Sequence, residues 1–272
     1  MKIISLGVGV QSTALYYMSS MGELPRADVA IFADTGAEKT ATSEYYDYLM
    51  NWEKENNGIL IYKATYKNLN TDIRNQQNSS GNRLASIPAF SENGGMLRRQ
   101  CTSEYKIYQV DKMIRELQGL KPKQRFRECE IWYGITLDEM QRISIPSQKW
   151  KTNVYPLIGY KTFHWGRSEK ISDNVFRRGD IVNWYESHNL PVPVRSSCVF
   201  CPFQSDKNWL YLKQNYPKDF QEAIEVDALI RDSSKRGVKE KIYVHRSRKP
   251  LSEVEFDENQ KELEECSGVC ML

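Results

Sequence analysis

Long apolar runs are missing from this sequence. No stretch of its 272 residues approaches the roughly 18 to 20 that a membrane-spanning helix needs, which argues against a membrane protein built of such helices. A secretory start is missing too: the first ten residues lead into a strand and a glycine loop, without a basic opening, a long apolar segment or a small-residue cleavage site. The cytoplasm is therefore the expected compartment, with no membrane partner. Charge of one sign is also scarce. A net +3 is too small for the whole molecule to attract polyanions, although it permits a local basic surface. Histidine occurs three times, and His164 and His188 lack ligand spacing, so both read as structural. What remains is an ordinary globular balance, 40% hydrophobic and 27% charged, in a chain long enough to bury a sizeable core. The six cysteines, in a reducing compartment, read as thiols, metal ligands or redox groups rather than disulfides.

Apolar runs at 2–5 and 29–33 each end in a polar or glycine loop, and helical spacing follows each, at 12–18 and 42–56. A third strand is expected at 58–64. Strands alternating with helices predict an α/β fold, a Rossmann-like, doubly wound and mostly parallel sheet, whose ligands bind beyond the carboxyl ends of the strands. Residues 65–100 lose periodicity and read as a functional or mobile loop. Helices are expected at 103–117, 179–188 and 207–231, and a strand at 130–135. The expected division is a nucleotide-binding domain over 1–195 and a smaller cysteine-bearing region over 196–272 that packs on the site.

The glycine loop reads Ser5-Leu6-Gly7-Val8-Gly9-Val10-Gln11-Ser12-Thr13. Glycines between a strand and a helix let backbone N–H groups approach an anion, and the helix N-terminus favours negative charge. A plain connecting turn explains the same residues about as well. The loop is neither a dinucleotide fingerprint nor a Walker loop, since it lacks Gly-Lys-Ser/Thr.

Four further motifs follow in order: Asp34-Thr35-Gly36; Arg99-Gln100-Cys101-Thr102 with Lys106; Gly134-Ile135-Thr136 with Asp138, Glu139 and Arg142; and Cys198-Val199-Phe200-Cys201-Pro202. In this order, over about 1–205, the chain resembles the PP-loop ATP pyrophosphatases and phosphoadenylylsulfate (PAPS) reductases of the adenine nucleotide alpha hydrolase superfamily. The resemblance implies an adenine nucleotide, ATP or a relative, bound by Ser5, Gly7, Val8, Gly9, Gln11, Ser12 and Thr13, with Asp34, Thr35 and Gly36 contacting it. Gly134, Thr136, Asp138 and Arg142 would complete that site, and Asp34, Arg99, Cys101 and Lys106 would carry the chemistry. One departure stands out. The family's Ser-Gly-Gly-x-Asp-Ser, aligned on Ser12, puts Gln11 where a carboxylate would help hold Mg²⁺, and an amide is a poorer ligand for a hard cation.

Cys198 and Cys201 at Cys-x-x-Cys spacing suit a metal clamp, a redox pair or buried small apolar residues, and Cys101 offers a third sulfur. Iron–sulfur ligation, of the 4Fe-4S kind in this family, is the expected use, with zinc as the alternative. A fourth ligand could come from Cys266 or Cys270, or one iron could stay open to substrate. Cys129 reads as a core residue. His245 and Arg246 offer an anion contact, but an ordinary charged surface strand is expected there. Trp132, Trp165 and Trp209 read as core fillers rather than base-stacking platforms.

The expectation is therefore an ATP pyrophosphatase-type sulfurtransferase, activating an acceptor for sulfur insertion. A tRNA or other nucleic acid is a candidate acceptor, and a thiol or electron donor a candidate partner; a homodimer is left open. Reduction of adenylylated sulfate to sulfite is the alternative, with Cys266 or Cys270 as nucleophile in place of the family's terminal cysteine. A non-catalytic nucleotide or nucleic-acid binding module is the third reading, motivated by Gln11.

Overall fold

The computed structural model describes residues 1–84 and 87–257. Cys266 and Cys270 lie outside the described residues. Five strands form the parallel part of the sheet, namely β1 (Lys2–Leu6), β2 (Val29–Ala33), β3 (Ile61–Ala64), β5 (Cys129–Trp132) and β6 (Lys151–Tyr155). β4 (Phe90–Ser91) belongs to a separate two-stranded ladder. Two antiparallel strands, β7 (Tyr160–Phe163) and β8 (Ser168–Lys170), extend the sheet on the β6 side. The order is β3-β2-β1-β5-β6-β7-β8, so the chain reverses direction across the sheet between β1 and β5. That reversal opens a crevice at the carboxyl ends of these two strands, between the loops that follow them.

Period-2 alternation sorts the strand side chains between two cores. Ile4, Leu6, Ala30, Phe32 and Trp132 pack beneath α1 (Val10–Met21), α2 (Thr40–Glu55) and α5 (Arg178–Ser187). Ile3, Ile31, Ala33, Ala64 and Ile131 face the opposite way, onto Val110 and Ile114 of α4 (Tyr108–Leu117). Buried Cys129 belongs to this second core, and burial pushes its thiol up to about 12.

A third core joins α6 (Asp206–Asn215) and α7 (Pro217–Ile230) to α3 (Leu69–Arg74) and to Ile87, Ala89 and Tyr105. The C-terminal region thus shares its interior with the segment that carries no periodicity. Asn68 caps α3 locally by accepting from the Thr71 N–H at 2.8 Å, and long-range partners order the segment further: the Asn70 side-chain amide donates to Glu222 at 2.6 Å. β4 pairs with β9 (Ile242–Tyr243). The helix expected over 207–231 is two helices, because Pro217 has no N–H to donate and Tyr216 before it takes φ −133°, ψ 65°. Nothing in the sequence reading anticipated β6, β7 and β8. Among the described residues, no helix is long and apolar enough to cross a membrane.

Candidate functional site

The glycine loop leaves β1 at Leu6 and enters α1 at Val10, with Val8 held at φ 53°. A β-branched residue in the left-handed region is strained by about 1–2 kcal/mol. Full burial of Val8 in the core beneath α1 holds it there. The Ser12 hydroxyl ties the loop together, accepting from the Gly7 and Gly9 amides at 3.2 and 3.3 Å. Gln11 is 8% exposed, and its Nε2 has no hydrogen-bond partner. An orphaned buried amide of this kind costs about 1–3 kcal/mol unless a ligand or water satisfies it.

Gly134, beyond the end of β5, presses on this loop from the other side of the crevice. A Cβ there would lie 2.6 Å from three backbone atoms, Gln11 C, Ser12 N and Ser12 Cα. Thr136 is buried, and its Oγ1 lacks a partner. Asp138 accepts from the Arg178 amide at 3.1 Å and so anchors the start of α5. Glu139 and Arg142 form a buried ion pair at 2.7 Å.

Asp34-Thr35-Gly36 turns out to hold the cysteine loop. The Val199 amide donates to the Ala37 carbonyl at 2.8 Å, Glu38 and Cys198 form an antiparallel bridge, and Thr35 Oγ1 lies 3.6 Å from the Cys198 sulfur. The Asp34 carboxylate itself pairs with Lys63 at 2.8 Å and accepts from the Gly36 amide at 2.8 Å. Cys101 begins a helix whose next six residues, Thr102–Ile107, take the wider π form. Such a segment shifts the phase of the side chains and recurs at functional sites.

These pieces meet around a cleft of about 930 Å³, open to solvent at its mouth. Gly9, Val10, Gln11 and Gly134 form one wall, and Cys101, Cys198 and Cys201 lie along another. Arg99, Lys106, Arg142, Arg178 and Arg195 also line it, and no Asp or Glu does. Ser196 and Ser197 add hydroxyls without partners. A second hollow, likewise open to solvent, adjoins through Lys106, between Ser5, Gly7, Phe32, Ala33, Asp111 and Tyr133.

The donor set decides which groups the cleft suits. Three sulfurs among cations match an anionic, thiolate-ligated cluster, although among the described residues no three His, Cys, Asp or Glu side chains are close enough to share one ion. Burial, followed by the Glu38 carboxylate, pushes the Cys198 thiol up to about 12, a cost that metal ligation reverses. An adenine nucleotide fits the cationic lining and the orphaned Gln11 amide. Mg²⁺ does not fit: the cleft lining offers it no carboxylate, Asp34 is engaged by Lys63, and Asp111 of the adjoining hollow is engaged by Lys151.

Sequence reasoning missed Lys39, Arg178 and Arg195. Lys39 is 5% exposed, forms no ion pair with described residues, and burial brings its ammonium down to about 8, with Cys201, Arg195 and Cys198 among its electrostatic neighbours. Its position directly after Glu38 was the available signal. Arg195 stands next to Ser196-Ser197-Cys198, a second signal. Arg178 follows Arg177, and only the fold brings it to the cleft.

Two expectations need correction. His245 is not on a charged surface strand: it is 3% exposed, with Nε2 3.2 Å from Asp206 Oδ1 and Nδ1 2.8 Å from Ser247 Oγ. Trp132 and Trp209 do fill cores, but Trp165 is 76% exposed. No protein-family model matches the chain, and comparison with curated proteins finds no match.

Proposed function

We propose that this chain is a PAPS reductase-like enzyme of the PP-loop type, binding an adenine nucleotide in the cationic cleft and performing sulfur chemistry at its three thiols. The observation that carries this reading is the convergence of the glycine loop, five cations and Cys101, Cys198 and Cys201 on one cleft. Phosphates would sit against the Gly7–Gly9 loop and the start of α1, with Arg99, Lys106, Arg142, Arg178 and Arg195 neutralising them. Gln11 would donate its amide to a phosphate oxygen. Cys101, Cys198 and Cys201 would hold an iron–sulfur cluster, which supplies bound sulfide or electrons. In the activating branch, an acceptor such as a nucleic acid attacks the α-phosphate and pyrophosphate leaves, while the fixed cations stabilise the charge that develops.

The missing carboxylate favours a second reading, in which the nucleotide is an adenylylated sulfate that is reduced rather than an ATP whose pyrophosphate needs a divalent clamp. Anaerobic purification with iron, sulfide and zinc analysis, together with nucleotide titrations, tests both. Iron with sulfide, and loss of both in Cys198→Ser, is expected. Zinc alone, or no nucleotide binding, refutes the proposal. Pyrophosphate release on ATP with acceptor, against sulfite release from a sulfonucleotide with a thiol donor, separates the branches. Tight binding with neither product would mark a binding module.

A further inference from the structure

We propose that the amino-terminal edge of the sheet, opposite the cleft, is a docking surface for a single-stranded nucleic acid. The loop from α4 to β5 reads Lys121-Pro122-Lys123-Gln124-Arg125-Phe126-Arg127-Glu128, and Lys121, Lys123, Arg125 and Arg127 are all exposed. Four cations against one carboxylate contrast with a chain whose net charge is only +3. Among the described residues no carboxylate pairs with these four or with Lys149.

Aromatic rings tie this loop to the β7–β8 hairpin. Phe126 stacks on Trp150 with centroids 4.0 Å apart and planes 5° from parallel, and Arg115 lies over Phe126 at 4.4 Å. The Cys129 amide donates to the Trp150 carbonyl at 2.9 Å, so the stack is fixed to the start of β5 and β6. Lys149, next in the chain to Trp150, sits 4.8 Å above the ring of Trp165. Because β7 runs antiparallel to β6, with Thr152 opposite Phe163, the turn carrying Trp165 returns to this same edge. At that turn Lys161 and Arg167 both lie against the Phe163 ring and share the single carboxylate of Glu169.

An indole left 76% exposed, with Lys149 over its ring and the basic α4–β5 loop on the same edge of the sheet, has a specific chemical complement. A nucleobase stacks on its face while the cations meet the phosphates on either side. A duplex keeps its bases stacked on one another, so it offers the phosphates but not the ring. The surface is separate from the cleft, so this inference and the cleft reading can fail independently.

Fluorescence anisotropy with labelled single-stranded oligonucleotides and the matching duplex tests it. Binding of the single strand should exceed that of the duplex and fall steeply with salt. Trp165→Ala should weaken it by about 5- to 150-fold, Trp165→Phe should restore most of it, and Arg125→Glu with Arg127→Glu should nearly abolish it. These side chains lie at the surface, so unchanged circular dichroism and melting serve as the folding control. Absence of binding at low salt would overturn the proposal. Equal affinity for duplex and single strand would overturn it too, as would binding that survives the substitutions and is displaced by ATP. Substitutions that alter self-association in sedimentation, without touching oligonucleotide binding, would assign the surface to a second copy of the chain and overturn it as well.

Discussion

Gly134→Ala is the substitution whose cost follows most directly from the geometry. The added Cβ would lie 2.6 Å from Gln11 C, Ser12 N and Ser12 Cα, where ordinary contact begins at 3.4 Å. All three are backbone atoms in the first turn of α1, so no rotamer change relieves the overlap. The end of β5 and the start of α1 must separate by several tenths of an ångström, breaking close packing at the middle of the sheet. Overpacking of this kind costs about 1–3 kcal/mol, which in a chain of this size lowers the melting temperature by roughly 2–12 °C. Calorimetric or circular-dichroism melting measures it. Gly179→Ala is the control, since a Cβ there meets nothing within 4 Å and Gly179 lies in α5. It should leave stability unchanged or raise it by up to about 1 kcal/mol. Nucleotide titrations should show Gly134→Ala losing affinity, because the displaced atoms begin the proposed phosphate site. A variant that melts within a degree of the parent and binds nucleotide equally would refute the reasoning.

Lys39→Met should stabilise the metal-free protein by about 3 kcal/mol at neutral pH, since burial lowers the lysine from 10.5 to about 8 and each unit is worth about 1.4 kcal/mol. The folded chain binds fewer protons than the unfolded one between those values, so the parent's penalty is full below about 8 and fades towards 10.5. Urea unfolding at neutral pH and near pH 9.5 should show the gap shrinking by about 2 kcal/mol, and a pH-independent gap contradicts it. Asp227→Ala should cost about 2–4 kcal/mol in the same assay, because this fully buried carboxylate accepts from the Val244 and Leu251 amides and pairs with Arg231. Gln11→Asp should make nucleotide affinity rise with Mg²⁺ in calorimetric titrations while the parent stays indifferent, since the variant supplies the cleft's missing carboxylate.

The first half of the sheet was legible because its signals are local. Val29–Ala33 is a continuous apolar run stopped by Asp34, and the helices around it repeat at helical spacing. β6 to β8 were not, because Lys151, Asn153, Thr162 and Lys170 hide a strand pattern among polar residues whose partners lie across the sheet. Lys151 is buried there because Asp111 of α4 pairs with it, which no window of sequence reveals. At the site, the cysteines and glycines announced themselves by spacing. Asp34, by contrast, was legible as a motif but not in its placement, since Lys63 of β3 claims its carboxylate. Trp165 misled because composition says only that tryptophans are usually buried, and a hairpin turn is where that rule fails.

The strand order has a consequence for how the chain is made. β3, β2 and β1 can pair once residue 64 has been synthesised, but the other side of β1 waits for β5, which ends at 132. At about 5–20 residues per second, those 68 residues take roughly 3–14 s. For that interval the strand that will occupy the middle of the sheet is an open edge carrying Ile3 and Ile4, ready to pair with whatever extended segment arrives first. The strand at the middle of the finished sheet is thus an unpaired edge during synthesis, and slowing translation between residues 64 and 132 should lower the soluble yield.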